Sequence, residues 1–321
     1  MKKVLLAIAA VATITSCSQS EEFETQGTNN EIKVGTVVRK STRAVDLDND
    51  GFTSFTLSSF IVDAGQDYTT KGLGDPYMDG IAYSGGQGNW TATGKYYWPT
   101  GKNVQFFGYS DGSNFTAPAT GYPTLSFTIG ATSDVQKDLV VAALSSTKPA
   151  ENASVQLSFK HILTKVNFSY KPEDGYTYDI TALSIKGLKG GAATYTFAAD
   201  PVKGKWSGES TDSSYDYTYT PNVSDIATDD GYYAIGAAGS SLILLPQDIA
   251  ADAVQILISY EVSRAGGYTY TATNKAVKVP ASTWGVGQSI RYKLSLPAGD
   301  GIIGVDTKDL PEWGTEDPRD L

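Results

Sequence analysis

SVQLSFKHILTKVNFSY, residues 154–170, reads as extended chain throughout. Phe159, His161 and Leu163 alternate, so the pattern puts all three on one face of a strand. The segment before it, Lys148-Pro-Ala-Glu-Asn152, is a polar break containing proline. A domain boundary is placed there, between 153 and 154, although the strand that follows fits either side.

Working outward, more strand signals appear on both sides. Upstream are Phe52–Val62, Trp90–Trp98, Val104–Tyr109, Leu125–Ile129 and Asp138–Leu144. A Gly- and Asp-rich segment, 63–89, interrupts them, and Pro99–Asn103 is a clear turn. Downstream come Ile180–Ile185, Ala193–Phe197, Tyr215–Tyr219, Leu242–Leu245, Val254–Val262, Tyr268–Val279 and Ser289–Leu296. No long amphipathic helix and no 20–50-residue repeat competes with this pattern. Short strands separated by turns at this spacing predict an all-β chain of sandwiches.

Composition agrees with an exported β protein. Apolar residues make up 40% of the 321, ample for a core, and charged residues only 19%. The formal net charge of -10 argues against nucleic acid and against anionic lipid surfaces. His161 is the only histidine, which removes His-rich zinc sites and leaves any His-dependent triad hanging on one residue. No carboxylate pair stands out as a glycosidase site. The chain is therefore read as non-enzymatic, and no motif asks for a cofactor.

The N-terminus carries targeting information. Met1-Lys2-Lys3 is followed by an apolar run, Val4–Ile14, too short to span a membrane. Small residues then lead to Cys17, the only cysteine in the chain. This is a secretory signal layout, residues 1–16. Ile14-Thr-Ser-Cys17 resembles a bacterial lipobox, in which the thiol receives a diacylglycerol, so Cys17 is the expected lipidation site. Several acyl chains on one residue anchor firmly to the outer membrane. The short acidic patch after Cys17 resembles a surface-export signal. Residues 17–43 read as a tether with one strand-like patch, Ile32–Val38, followed by the basic cluster Arg39–Ala44.

Several stretches in order carry a resemblance. They are Lys95-Tyr-Tyr-Trp-Pro99 with Val104-Gln-Phe-Phe-Gly-Tyr109, Lys137–Ala142 before Leu157–Val166, Leu244-Leu-Pro-Gln247, Trp284-Gly-Val-Gly287 before Tyr292–Leu296, and Val305–Trp313. Together they resemble the fimbrillin family in its minor-fimbrium-like branch, lipoprotein pilins of Gram-negative anaerobes that form type V pili. The likeness spans most of residues 44–313. It implies two transthyretin-like β-sandwich domains in tandem, here 44–153 and 154–321. It also implies cleavage by a trypsin-like protease between Arg43 and Ala44. That cut removes Ile32–Val38 with the lipid and opens a groove, and a strand of a neighbouring subunit fills it. The implied partners are other fimbrial subunits, and the implied roles are adhesion and biofilm formation. In the family the donor strand usually comes from the C-terminus. Here that region holds Pro311, Pro318 and several acids, with Gly301-Ile-Ile-Gly-Val305 as the only nearby apolar piece. Proline lacks the N–H a ladder needs, which points to a tip or accessory subunit. The alternative is a monomeric surface lipoprotein that binds glycans or host proteins.

Other candidates have plainer readings. Asp46-Leu-Asp-Asn-Asp-Gly51 starts like a calcium loop, but Leu57 stands where the bidentate acid belongs, so a polar turn is expected and no metal site. The aromatics Trp90, Tyr96, Tyr97 and Trp98 suit sugar stacking but are expected in the core. Tyr215, Tyr217 and Tyr219 share one face, as half-buried packing or an adhesive patch. His161 is expected to be a packed, hydrogen-bonded residue.

Overall fold

The computed structural model describes residues 30–38, 51–86, 88–150, 153–208, 215–221, 223–228, 231–236, 240–310 and 313. Cys17, Arg43, Ala44 and the Asp46–Asp50 segment lie outside these residues. The described chain is almost entirely β. Its first strands are β1 (Val34–Val38), β2 (Ser54–Asp63), β3 (Pro76–Gly86), β4 (Asn89–Ala92), β5 (Lys102–Tyr109), β6 (Ser113–Thr116), β7 (Thr124–Thr128) and β8 (Val140–Ser146). Next come β9 (Val155–His161), β10 (Thr164–Lys171), β11 (Thr177–Leu188), β12 (Ala192–Thr196), β13 (Lys205–Ser207), β14 (Tyr215–Tyr219), β15 (Val223–Ala227) and β16 (Tyr233–Ile235). The last are β17 (Leu242–Leu244), β18 (Asp248–Ile249), β19 (Gln255–Arg264), β20 (Tyr268–Lys278), β21 (Ser282–Thr283), β22 (Ser289–Ser295) and β23 (Gly304–Leu310). One four-residue helix, Tyr68–Lys71, lies between β2 and β3.

Residues 154–170 form two strands in two different sheets. β9 lies in a seven-stranded sheet of order β1-β9-β8-β5-β2-β3-β4. β10 lies in a sheet running β15-β16-β10-β22-β23, with β17 also paired to β10. β9 alternates between buried and exposed side chains until Lys160, whereas every residue of β10 except Lys171 is buried. A strand covered on both faces loses its alternation. The crossing falls at Ile162 and Leu163, both fully buried. Phe159 therefore joins one core cluster and Leu163 the other, not one shared face.

Two pairs of facing sheets build the molecule. The seven-stranded sheet packs against β13-β12-β7-β6, with Phe107 5.3 Å from Phe197 and 6.2 Å from Phe115. The sheet around β10 packs against β14-β11-β19-β20, with Phe168 5.2 Å from Tyr219 and Tyr170 6.1 Å from Tyr178. β7 and β12 pair antiparallel over five residues, so this one sheet joins strands from both sides of the 148–152 break. The larger core cluster is continuous across both pairs.

Two strand readings shift. Trp90–Trp98 is a short β4, then a turn, then an isolated bridge at Tyr97, because Gly94 turns at positive φ. The Gly- and Asp-rich stretch contains β3, which buries only Met78 and Tyr83 fully. Gly108 in the Phe-Phe-Gly-Tyr motif has a packing reason: a Cβ there would lie 2.8 Å from Cζ of Phe159.

Candidate functional site

The site is built around β1. Its five residues pair parallel with β9, from Val34 opposite Val155 to Val38 opposite Phe159. This is a parallel pairing at the end of an otherwise antiparallel sheet. Parallel ladders are slightly less stable per residue. Just before β1, the Ile32 N–H donates to Tyr96 O at 2.8 Å, and the Trp98 N–H donates to Asn30 O at 2.9 Å. Lys148 Nζ donates to Asn30 Oδ1. Residues 30–38 thus clip the Tyr-Tyr-Trp segment to β9.

The side chains explain why this segment seats as a strand. Ile32, Val34 and Val38 are buried, and Val37 is 50% exposed. The inward three join a cluster that includes Phe52, Phe55, Leu57, Trp98, Phe106 and Phe159. The rings beneath pack closely: Phe52 lies 4.7 Å from Phe159, and Phe55 stacks on Tyr83 at 4.9 Å. Burial pushes the Tyr83 hydroxyl far above the usual phenol range. The Lys95–Glu31 ion pair, at 3.5 Å, has an exposed lysine and contributes little.

The outer edge of β1 faces β4 across a groove of about 450 Å³, lined by Ile32, Val34, Tyr83, Asn89, Trp90 and Tyr96 among others. Trp90 Nε1 donates to Thr36 Oγ1 across it at 2.9 Å. β1 and β4 stand at the two ends of the same sheet. The sheet curls until its edges nearly meet. If β1 leaves, the slot along β9 presents a row of unpaired backbone groups above an apolar floor, the chemistry that accepts an added strand.

Of the four aromatics expected in the core, Trp90, Tyr96 and Tyr97 are half-buried, with Trp90 and Tyr96 lining the groove. Trp98 is buried. The Tyr77 hydroxyl takes the Tyr97 N–H and donates to the Tyr97 carbonyl, both at 2.8 Å. Tyr217 and Tyr219 are buried, and only Tyr215 of that trio is exposed. His161 is buried, with Nδ1 2.8 Å from Asp138 Oδ2 and its ring stacked on Trp313 at 4.5 Å. Sequence reasoning missed Thr36, Phe52 and Tyr83, since nothing local marks the far side of a groove.

Residues 42–309 match the sequence model of a family described as fimbrillin-like. The chain belongs to the fimbrillin-like family. Fimbrium subunit Fim1C of Phocaeicola vulgatus is 25% identical over 378 aligned positions, spanning 98% of this fimbrillin-like chain and 97% of the relative. A fimbrial protein from Bacteroides vulgatus has the same fold, with TM-score 0.66 at 20% identity, covering 88% of this chain and 98% of that one. A candidate cell adhesion protein from Bacteroides ovatus follows at TM-score 0.53 and 17% identity, covering 91% and 100%. The fimbrillin-like family model and a relative named as a fimbrium subunit thus point the same way. The family match begins at residue 42, so β1 precedes it.

Proposed function

We propose that this chain is a fimbrial subunit that matures by losing its first strand and then receives a strand from a neighbour. Residues 1–16 direct export, and Cys17 takes the lipid that holds the precursor at the outer membrane. Residues 17–43 form the tether, and the cut falls between Arg43 and Ala44. The observation that carries the reading is β1 itself. It is paired along one edge, places three apolar side chains in the core, and lies five residues before Arg43. The start of the family match at residue 42 supports the same division.

Cleavage leaves β1 held only by non-covalent contacts. Its departure uncovers Phe52, Phe55, Leu57 and Phe159, which drives a complementary strand into the slot. Seven registered residues hold β23 to β22 within the chain's own fold. That supports a tip or accessory subunit that accepts a strand, with adhesion or biofilm formation as its purpose.

The test uses unlipidated protein beginning at Ser18, treated with limited trypsin and followed by mass spectrometry and gel filtration. The expected result is a clean new N-terminus at Ala44, dissociation of the 18–43 fragment, and capture of an added Ile32–Val38 peptide. A cleaved protein that keeps its fragment and takes up no peptide overturns strand exchange and leaves the monomeric binding lipoprotein.

A further inference from the structure

The groove between β1 and β4 is clipped at both ends. At one end Trp90 Nε1 donates to Thr36 Oγ1 at 2.9 Å, and at the other the Ile32 N–H donates to Tyr96 O at 2.8 Å. Along the chain from Ile32 to Thr36 the clips stand roughly 13 Å apart, at ~3.3 Å per residue. A gap closed at both ends admits no through-running strand. Its volume of about 450 Å³ suits a small molecule instead, since such sites span roughly 300–1,000 Å³.

The groove holds an unused polar group. Tyr83 lines it, is 6% exposed and stacks on Phe55 at 4.9 Å. Among the described residues its hydroxyl has no hydrogen-bond partner. Burial, then the neighbouring Tyr96 and Glu31, push its pKa up. A buried tyrosine hydroxyl normally finds a partner, so this one is offered to whatever enters. The walls are aromatic and polar together. Trp90 packs on Phe52 at 5.4 Å and Phe55 at 4.9 Å, yet it is only half-buried. Tyr96 stands edge-on to Tyr77 at 5.7 Å and is half-buried too. Asn89 brings an exposed amide to the rim. Glu31 and Lys95 pair at 3.5 Å and offset each other, and Lys33 is exposed to screening solvent.

We propose that this groove binds a short neutral saccharide and that the bound sugar locks β1 in place. A pyranose carries C–H groups on its faces, which pack on the Trp90 and Tyr96 rings. Hydroxyls around its edge both donate and accept, so one pairs with the Tyr83 hydroxyl and another with the Asn89 amide. A purely apolar ligand leaves Tyr83 unpaired, and an anion meets Glu31 on the same wall. Glu31, Ile32 and Val34 supply one wall, whereas Tyr83, Trp90 and Tyr96 belong to the body that stays behind. A sugar seated between them bridges the two, so the complete site exists only before β1 departs. The lock rests on the maturation proposed above; the site itself does not.

The test uses unlipidated protein beginning at Ser18, with lactose, maltose and cellobiose as probes. Each is titrated to about 10 mM, which fills most of a millimolar site. Binding is read by tryptophan emission and by NMR saturation transfer from protein to sugar protons. The expected result is saturable binding of at least one sugar, with the strongest transfer to the protons of its ring faces. Tyr83→Phe removes only the unpaired hydroxyl. It should leave the melting temperature of the sugar-free protein unchanged or raised, and weaken binding about fivefold or more. Trypsin-cut protein held at ten times the Kd should lose its 18–43 fragment about tenfold more slowly than without sugar. Binding of none of the three sugars, or unchanged affinity in Tyr83→Phe, overturns the site. A lowered melting temperature in that variant means the hydroxyl already has a partner and overturns it too. Fragment loss at one rate with and without bound sugar overturns the lock. A fragment that never leaves, from protein that binds sugar as expected, overturns strand exchange and leaves the site standing.

Discussion

The inward face of β1 makes the strongest energetic prediction. Ile32, Val34 and Val38 fill the smaller core cluster, while Val37 points outward, half exposed. Truncating Val34 or Val38 to alanine removes two methyl groups, about 1.6 kcal/mol at roughly 0.8 kcal/mol per methylene-sized group. The cavity left behind adds about 1 kcal/mol, because a ring-packed floor relaxes only in part. Each of these two variants should therefore cost about 2–3 kcal/mol. Ile32→Ala loses one carbon more and should cost about 3–4 kcal/mol. Val37→Ala should stay within about 0.5 kcal/mol. The three inward residues share one strand and one cluster, so the triple variant should fall short of their sum.

The assay is urea unfolding of the unlipidated protein, followed by tryptophan emission, with m-values compared across variants. Trp90, one of five tryptophans, is bonded to Thr36 of β1, so part of the emission reports on the strand. Two outcomes refute the reasoning. One is Val37→Ala costing as much as Val38→Ala, which would mean the strand does not sit in this register. The other is all three inward variants costing under about 0.5 kcal/mol, which would mean the strand contributes nothing to the core it is supposed to close.

Further predictions follow from the same packing. Gly108→Ala should destabilise by about 1–3 kcal/mol, since its Cβ meets the Phe159 ring at 2.8 Å, and Phe159→Leu should partly rescue it in a double-mutant cycle by urea melts. Asp138→Ala removes the 2.8 Å partner of buried His161 Nδ1 and should cost about 1–3 kcal/mol, read as a lowered unfolding midpoint. Burial raises the hydroxyl pKa of Tyr83, Tyr195, Tyr260 and Tyr292, so the native state holds these protons after the unfolded chain has released them. Stability should then be full below pH of about 10, the unfolded value, and fall as pH rises above it. Ultraviolet titration of tyrosinate should show these tyrosines ionising together with unfolding, and independent ionisation in a folded protein at pH of about 10 would contradict the burial argument.

Much of the fold is legible in the sequence because alternation is a local signal. Tyr215–Tyr219 emerges as a strand with the residues expected, and Tyr268–Val279 differs by a single residue at its end. His161 could be read as packed because Phe159 alternates with it. The parts that could not be read depend on distant partners. Nothing near Ile162 says that the chain changes sheets there, since buried residues on a two-sided strand lose the period that marks a face. β3 escaped because its side chains are mostly solvated, leaving a Gly- and Asp-rich composition with little hydrophobic pattern. The strand-like patch Ile32–Val38 was visible, but its parallel register with Val155–Phe159 was not. Arg43 and Cys17 were legible only as motifs, and both lie outside the described residues.

The pairing of β7 with β12 has a consequence for the order in which the chain can fold. Thr124–Thr128 finds its antiparallel partner only at Ala192–Thr196, beyond the crossing at Ile162 and Leu163. Until that later segment emerges, the layer facing Phe107 lacks β12, β13 and the Phe197 ring. The N-terminal half therefore cannot finish as an independent unit ahead of the rest. A subunit passed through a membrane from its N-terminus first would hold an open apolar face for the time taken by some seventy more residues, about the 128-to-196 interval. For a chain delivered in that order, the β7–β12 pairing sets how long that face stays open.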